Sequence, residues 1–172
     1  MTLIVCPLSQ LGTMIVTRAP SHLITLLSPH DMIMTPAGIH PDRHLRVGVD
    51  DIAAPLPGMV APNAALVESI LAFGQTWDEQ APMLVHCWAG ISRSTATAFV
   101  LACERNPSVD ELVIATAMRL ASPHAFPNRR IVALADDILD RRGRMLEAVE
   151  AMGASNLAME GVPFELAARH AP

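Results

Sequence analysis

Tyrosine is absent from this chain, and aromatic residues make up only 3% of it. The core of a 172-residue chain must therefore be packed from Leu, Ile, Val, Met and Ala. Although 51% of the residues are hydrophobic, no uncharged apolar run reaches the ~18 residues that a membrane-spanning helix needs. No membrane partner is expected. The opening Met1-Thr2-Leu3-Ile4-Val5 has no basic flank and only a short apolar run, so it reads as a strand and not as a signal peptide. Cysteine is scarce. Cys6, Cys87 and Cys103 are widely spaced with no Cys-x2-Cys pair, which speaks against a disulfide framework or a zinc site and for a reducing cytoplasm. Neither metal nor cofactor is expected. Excess positive charge is lacking too: the net charge is −5 and the basic residues are scattered, so no nucleic-acid partner is expected. Arg129-Arg130 and Arg141-Arg142-Gly143-Arg144 are the densest positive spots, with Asp136, Asp137, Asp140 and Glu147 nearby. They read as a solvated helical face with i,i+4 pairs, or as a patch for an acidic substrate or partner. Internal repeats are absent.

What is present alternates between strands and helices. Leu3-Ile4-Val5-Cys6 is a short buried strand. Ser9 offers a cap for a helix carrying Leu11, Met14 and Ile15 and ending near Arg18. His22 to Leu27 reads as a second strand, and its composition would also permit a helix. Residues 28–43 form a loop with room for a short strand at Met32-Ile33-Met34. Leu45-Arg46-Val47-Gly48-Val49 alternates as a strand does. Asn63 caps a helix with Leu66, Val67, Ile70, Leu71 and Phe73 on one stripe. Met83 to Cys87 is a strand. Thr95 to Glu104 follows as a helix, and Ser108 with Glu111 reads as a capping box for the next. Asn128 opens another helix, running to Arg142 or on to Met152, with Gly143 as its weak point. One domain over residues 1–152 is expected. Residues 153–172 read as an extension with a short helix near Phe164-Glu165-Leu166 and a frayed end. The expected fold class is α/β: a mainly parallel sheet of about four to five strands, flanked by helices on both faces. In such sheets ligands bind beyond the carboxyl ends of the strands, where Cys87 falls.

The segment from His86 to Ser94 carries the chemistry. It sets Cys87 and Arg93 six positions apart, with Gly90 between them and Ser92 and Ser94 on either side of the arginine. Strand, tight loop and helix turn successive backbone N–H groups toward one point, a ready site for a dianion. The same dipoles and the Arg93 charge favour a thiolate at Cys87. This string resembles the signature of the cysteine-dependent protein tyrosine phosphatases, His-Cys-x5-Arg-Ser/Thr, and its Ala89-Gly90-Ile91-Ser92-Arg93-Ser94 stretch is most similar to the dual-specificity branch. The resemblance covers roughly residues 40–140 and implies a phosphotyrosine-phosphatase-like fold. It also implies a metal-independent phosphomonoester hydrolase acting on a phosphoprotein or a small phosphomonoester.

Within that resemblance Cys87 is the nucleophile and forms a phosphocysteine. The Arg93 fork fits two phosphoryl oxygens, Gly90 lets the backbone turn around the anion, and Trp88, Ala89, Gly90, Ile91 and Ser92 line the phosphate. Ser94 hydrogen-bonds the sulfur and helps it leave. His86 supports the loop by hydrogen bonding to nearby backbone. A carboxyl must protonate the leaving oxygen and then activate water. Val47-Gly48-Val49-Asp50-Asp51 is similar to the pattern that ends in this acid and points to Asp51, with Asp50 as the alternative. Asn128 braces the loop, caps its helix, or both. Trp88 packs under the loop or shapes the substrate entrance. The loop contains no lysine, unlike enzymes that take inositol phospholipids. The competing readings are a phosphate-binding pseudophosphatase, a loop-cysteine sulfurtransferase and an arsenate reductase, the last disfavoured by the distant Cys103.

Overall fold

The computed structural model describes residues 1–171. Strands β1 (Thr2–Pro7), β2 (His22–Leu27), β3 (His44–Gly48), β4 (Met83–Cys87) and β5 (Phe164–Ala167) make one sheet in the order β3-β2-β4-β1-β5. The first four run parallel, and β5 is antiparallel to β1. Both faces are covered by helices. α1 (Leu11–Arg18) covers one, over a small core of Ile4, Cys6, Leu11, Ile15, Leu23, Ile39 and Leu84. The other face carries α2 (Ala64–Gln75), α3 (Arg93–Arg105), α4 (Glu111–Ala121), α5 (Arg129–Ile138) and α6 (Arg144–Ala151) over the main core. This explains the sequence pattern. Central strands covered on both faces read as unbroken apolar runs, and β2 and β4 are buried along their whole length. The edge strand β3 buries only Val47 fully.

The structure corrects several local expectations. Phe164-Glu165-Leu166 is strand, not helix: Phe164 and Leu166 face the core while Glu165 and Ala167 are exposed. The segment after residue 152 thus adds the edge strand beside β1. Met32-Ile33-Met34 forms no strand. Ser9 lies in a 3-10 turn (Leu8–Gln10) ahead of α1 and caps nothing. Asp110, not Ser108, caps α4 by accepting from the Leu112 N–H. The helix after Asn128 ends at Ile138, and α6 starts afresh after Gly143, which sits at φ +90°. Asp136 holds that break, taking the N–H groups of Gly143 at 2.5 Å and Met145 at 2.8 Å. Arg141 is not on a solvated face. It is buried, and its guanidinium binds Glu111 at 3.1 Å and the Cys103 carbonyl at 2.8 Å.

Candidate active site

β4 ends at Cys87 and α3 begins at Arg93, so residues 88–92 must turn the chain between them. Four loop carbonyls are tied down from outside. Trp88 O accepts from Leu8 N at 3.1 Å, Ala89 O from Gly161 N at 2.8 Å, Ile91 O from Phe126 N at 2.9 Å, and Ser92 O from Asn128 N at 3.2 Å. Thr95 adds its hydroxyl to the carbonyls of Ile91 and Ser92. With the carbonyls held outward, the N–H groups of residues 89–92 donate to no other backbone group among the described residues. They are free to converge on an anion at the N-terminus of α3. Gly90 makes the turn possible at φ +69°, and a Cβ there would lie 2.6 Å from Pro7 N and 2.8 Å from Cys6 C. No other residue fits without moving β1.

The reactive side chains meet in this turn. Cys87 Sγ and Ser94 Oγ are 3.1 Å apart and buried. Arg93 is buried as well, with Nη1 donating to Val49 O at 2.8 Å. Its Nε is buried without a hydrogen-bond partner, a donor left over for an acceptor at the loop. Asp51 faces the same loop. Its Oδ1 accepts from Ser92 Oγ at 2.7 Å and from Asn128 Nδ2 at 2.8 Å, and its Oδ2 lies 3.9 Å from Arg93 Nε. Asp50 turns away, accepting from Ser28 Oγ at 2.5 Å and Val60 N at 2.7 Å. The Ser28 hydroxyl, then the Val60 amide, hold its carboxyl below the usual range. Asn128 caps α5, its Oδ1 accepting from the N–H groups of Arg130 and Ile131. Its Nδ2 bonds Asp51 and not the phosphate loop, which it reaches only through its backbone N–H at Ser92 O.

Trp88 is 57% exposed, so it is not packed beneath the loop. Ile91, His124 and Phe126, which is 55% exposed, line with residues 154–158 an apolar cleft of about 410 Å³. The other two thiols are core groups. Burial, and secondarily Cys87, push Cys6 up to about 12. Burial likewise pushes Cys103 far above its ordinary value.

The sequence reading missed the contributions of Leu8, Thr25, Thr95 and Gly161 to this site. The Ser-x-x-Thr spacing after Ser92 was a local signal for Thr95. Thr25 Oγ1 is 2.7 Å from His86 Nε2, so a side chain of β2 holds the His86 ring in addition to the main-chain contact with Cys87. Burial pushes His86 down to about 4 from an ordinary 6.5, outweighing a main-chain contact with Cys87 that acts upward. The ring is therefore neutral at pH 7 and unsuited to electrostatic work. Its folded value lies below its unfolded value. Between those two values the unfolded chain binds more protons, and stability is lost as pH falls from about 6.5 toward about 4. The loss from this ring is on the order of about 3 kcal/mol. Urea midpoints measured across that window check it, and His86→Asn should flatten the slope.

The fold is that of the dual-specificity phosphatases. The chain superposes on the crystal structure of DUSP15 with a TM-score of 0.60 at 16% identity, over 86% of this chain and 88% of that one. It superposes on PTPMT1 in complex with PI(5)P with a TM-score of 0.58 at 13% identity, over 87% and 91%. A mouse protein described as a dual-specificity phosphatase, solved with zinc tungstate, matches at 0.55 and 22% identity over 80% of each chain. No protein-family model and no curated protein matches the sequence. Among the described residues no group of three or more His, Cys, Asp or Glu is placed to hold a metal ion, and no helix is long and apolar enough to cross a membrane.

Proposed function

We propose that this protein is a phosphomonoester hydrolase that works through a phosphocysteine, without a metal ion, in a reducing cytoplasm. The observation that carries the reading is the meeting of four groups at one turn: Cys87 with Ser94 at 3.1 Å, the unpartnered Nε of Arg93, and Asp51 beside it. In the proposed reaction Cys87 Sγ attacks phosphorus in line, and the bond to the leaving oxygen breaks. Asp51 gives that oxygen its proton. Arg93 and the free loop amides carry the charge of the equatorial oxygens. Asp51 then takes a proton from water as the water attacks the phosphocysteine, and Ser94 donates to the departing thiolate.

An acid beside the loop favours turnover over phosphate binding alone. The apolar cleft at Ile91 and Phe126 suits an aryl phosphate such as phosphotyrosine, whose ring would lie against it. An inositol phospholipid fits less well, because Arg93 is the only cation in the loop. The test is hydrolysis of p-nitrophenyl phosphate with chelator and reductant present. Turnover should survive the chelator and be lost when iodoacetate alkylates Cys87, with vanadate protecting the thiol. Well-folded protein without activity from mildly acidic to neutral pH would refute the reading, and a positive thiosulfate assay would replace it with sulfur transfer.

A further inference from the structure

Residues 152–163 run from the end of α6 back to β5, beyond the stretch that carries the sequence resemblance. They contain no helix or strand, yet they are pinned at both ends. Arg119 of α4 holds the first end. Its guanidinium donates to Pro123 O at 2.8 Å and Ser122 O at 3.3 Å on one side, and to Met152 O at 3.3 Å and Gly153 O at 3.4 Å on the other. Asn156 N then donates to Pro123 O at 2.9 Å, and His124 Nδ1 donates to Asn156 O at 3.1 Å. Gly161 holds the second end, its N–H donating to Ala89 O of the phosphate loop at 2.8 Å. The segment is thus fixed to the phosphate loop itself and to the stretch 122–126, whose Phe126 N–H also holds that loop at Ile91 O.

What this pinning presents is apolar. Ala154, Leu157 and Ala158 share the cleft of about 410 Å³ with Ile91 and Phe126. Leu157 is 100% exposed, so an occupant that covered it would gain from the burial. No lysine or arginine lines the cleft, and the Nδ1 of its one histidine is taken by Asn156 O. Arg129 lines an adjoining cleft that shares Phe126, and it is paired with Glu150. An acidic occupant therefore finds no free cation there. The volume lies in the range of clefts that enclose drug-sized ligands, more than a phosphotyrosine ring at Ile91 and Phe126 would fill. Ile91 belongs to both the phosphate loop and the cleft, so whatever fills the remainder is attached close to the phosphoryl group. Glu160 follows the exposed Met159, and the chain carries a net charge of −5. An anionic lipid surface would be opposed by both. An aliphatic side chain next to a phosphotyrosine meets all of these conditions.

We infer that residues 154–158, with Leu157 as the chief contact, form a subsite that selects phosphopeptides carrying a large aliphatic residue next to the phosphotyrosine. The inference rests on the phosphatase reading of Cys87 and Arg93. Its test is kcat/KM on phosphotyrosyl peptides with Leu, Ala or Glu on either side of the phosphotyrosine. On one side Leu should exceed Ala by about tenfold or more, the discrimination an apolar pocket gives, and Glu should fare no better than Ala. In Leu157→Ser, a change at a fully exposed position that should not disturb folding, the ratio of Leu to Ala should fall to about one. Hydrolysis of p-nitrophenyl phosphate is followed alongside. Its absence in the wild type would defeat the phosphatase reading. The affinities of Cys87→Ser protein for the same peptides, read by fluorescence anisotropy, then decide the subsite without turnover. Equal values for the Leu and Ala peptides on both sides, in turnover or in affinity, would overturn the inference. So would a preference that survives Leu157→Ser. Sedimentation of the wild type but not of Leu157→Ser with phosphatidylcholine–phosphatidylserine vesicles would assign the surface to a membrane and overturn it as well.

Discussion

Asp51→Asn is expected to lower kcat on phosphotyrosine by about a hundredfold to ten-thousandfold, the range for loss of a positioned general acid. Asparagine keeps the acceptor that Ser92 and Asn128 bind at Oδ1, so the loop should hold its shape. Vanadate affinity should stay near the wild-type value, because vanadate requires no leaving-group proton. The deficit should shrink on p-nitrophenyl phosphate, whose phenol leaves more easily than tyrosine with its pKa of about 10. That dependence on the leaving group separates an acid from a residue that only shapes the site. Asp50→Asn should behave otherwise. Asp50 holds Ser28 and Val60 and makes no hydrogen bond to the loop, so its loss should lower stability more than kcat. A large leaving-group-dependent loss in Asp50→Asn, with Asp51→Asn near normal, would reverse the assignment.

The sequence told most where the chemistry is contiguous. His86 to Ser94 is one uninterrupted string, and its residue types state a nucleophile, an anion cradle and a strand-to-helix turn. Asp51 was reachable because the alternation of Leu45, Val47 and Val49 runs straight into it. What could not be read is whatever the chain assembles by main-chain contact over distance. Leu8 and Gly161 hold the loop through backbone N–H groups, and a backbone donor leaves no mark on residue type. Gly161 carries a faint one, since a Cβ there would approach Gly90 O to 3.1 Å. β5 was misread although Phe164, Glu165, Leu166 and Ala167 alternate, because four residues are too few for a period of two to outweigh a helix. The break between α5 and α6 depends on Asp136 reaching seven and nine residues ahead. A pattern of i,i+4 charges conceals that kind of contact.

The same blindness hid the ion cluster on which the second large effect depends. Glu111 looked like the third residue of a capping box. It is instead 1% exposed, and its carboxylate takes Arg141 Nη1 at 3.1 Å, Arg144 Nε at 3.0 Å and Arg144 Nη2 at 3.1 Å. Arg144 is half exposed and can find water, but Arg141 is buried. Its remaining partners are the carbonyls of Pro107 and Cys103, which carry no full charge to neutralise it. Glu111→Ala should therefore cost about 3–5 kcal/mol, the penalty for leaving a buried charge without its counterion. The pair itself need not be that favourable, since its desolvation offsets much of its attraction. Replacing both partners by leucine should consequently recover a large part of the loss. Urea unfolding of Glu111→Ala checks the first figure, and a cycle of Glu111→Leu, Arg141→Leu and the double variant checks the recovery. A double variant as unstable as the sum of the single ones would show that the two side chains act independently. The cluster also clamps the carboxyl end of α3 through the Cys103 carbonyl, and Arg93 sits at the other end of that helix. Below its unfolding temperature Glu111→Ala should still hydrolyse p-nitrophenyl phosphate, because the turn at Cys87 is held by β1, Phe126, Asn128 and Gly161 and not by this end of the helix.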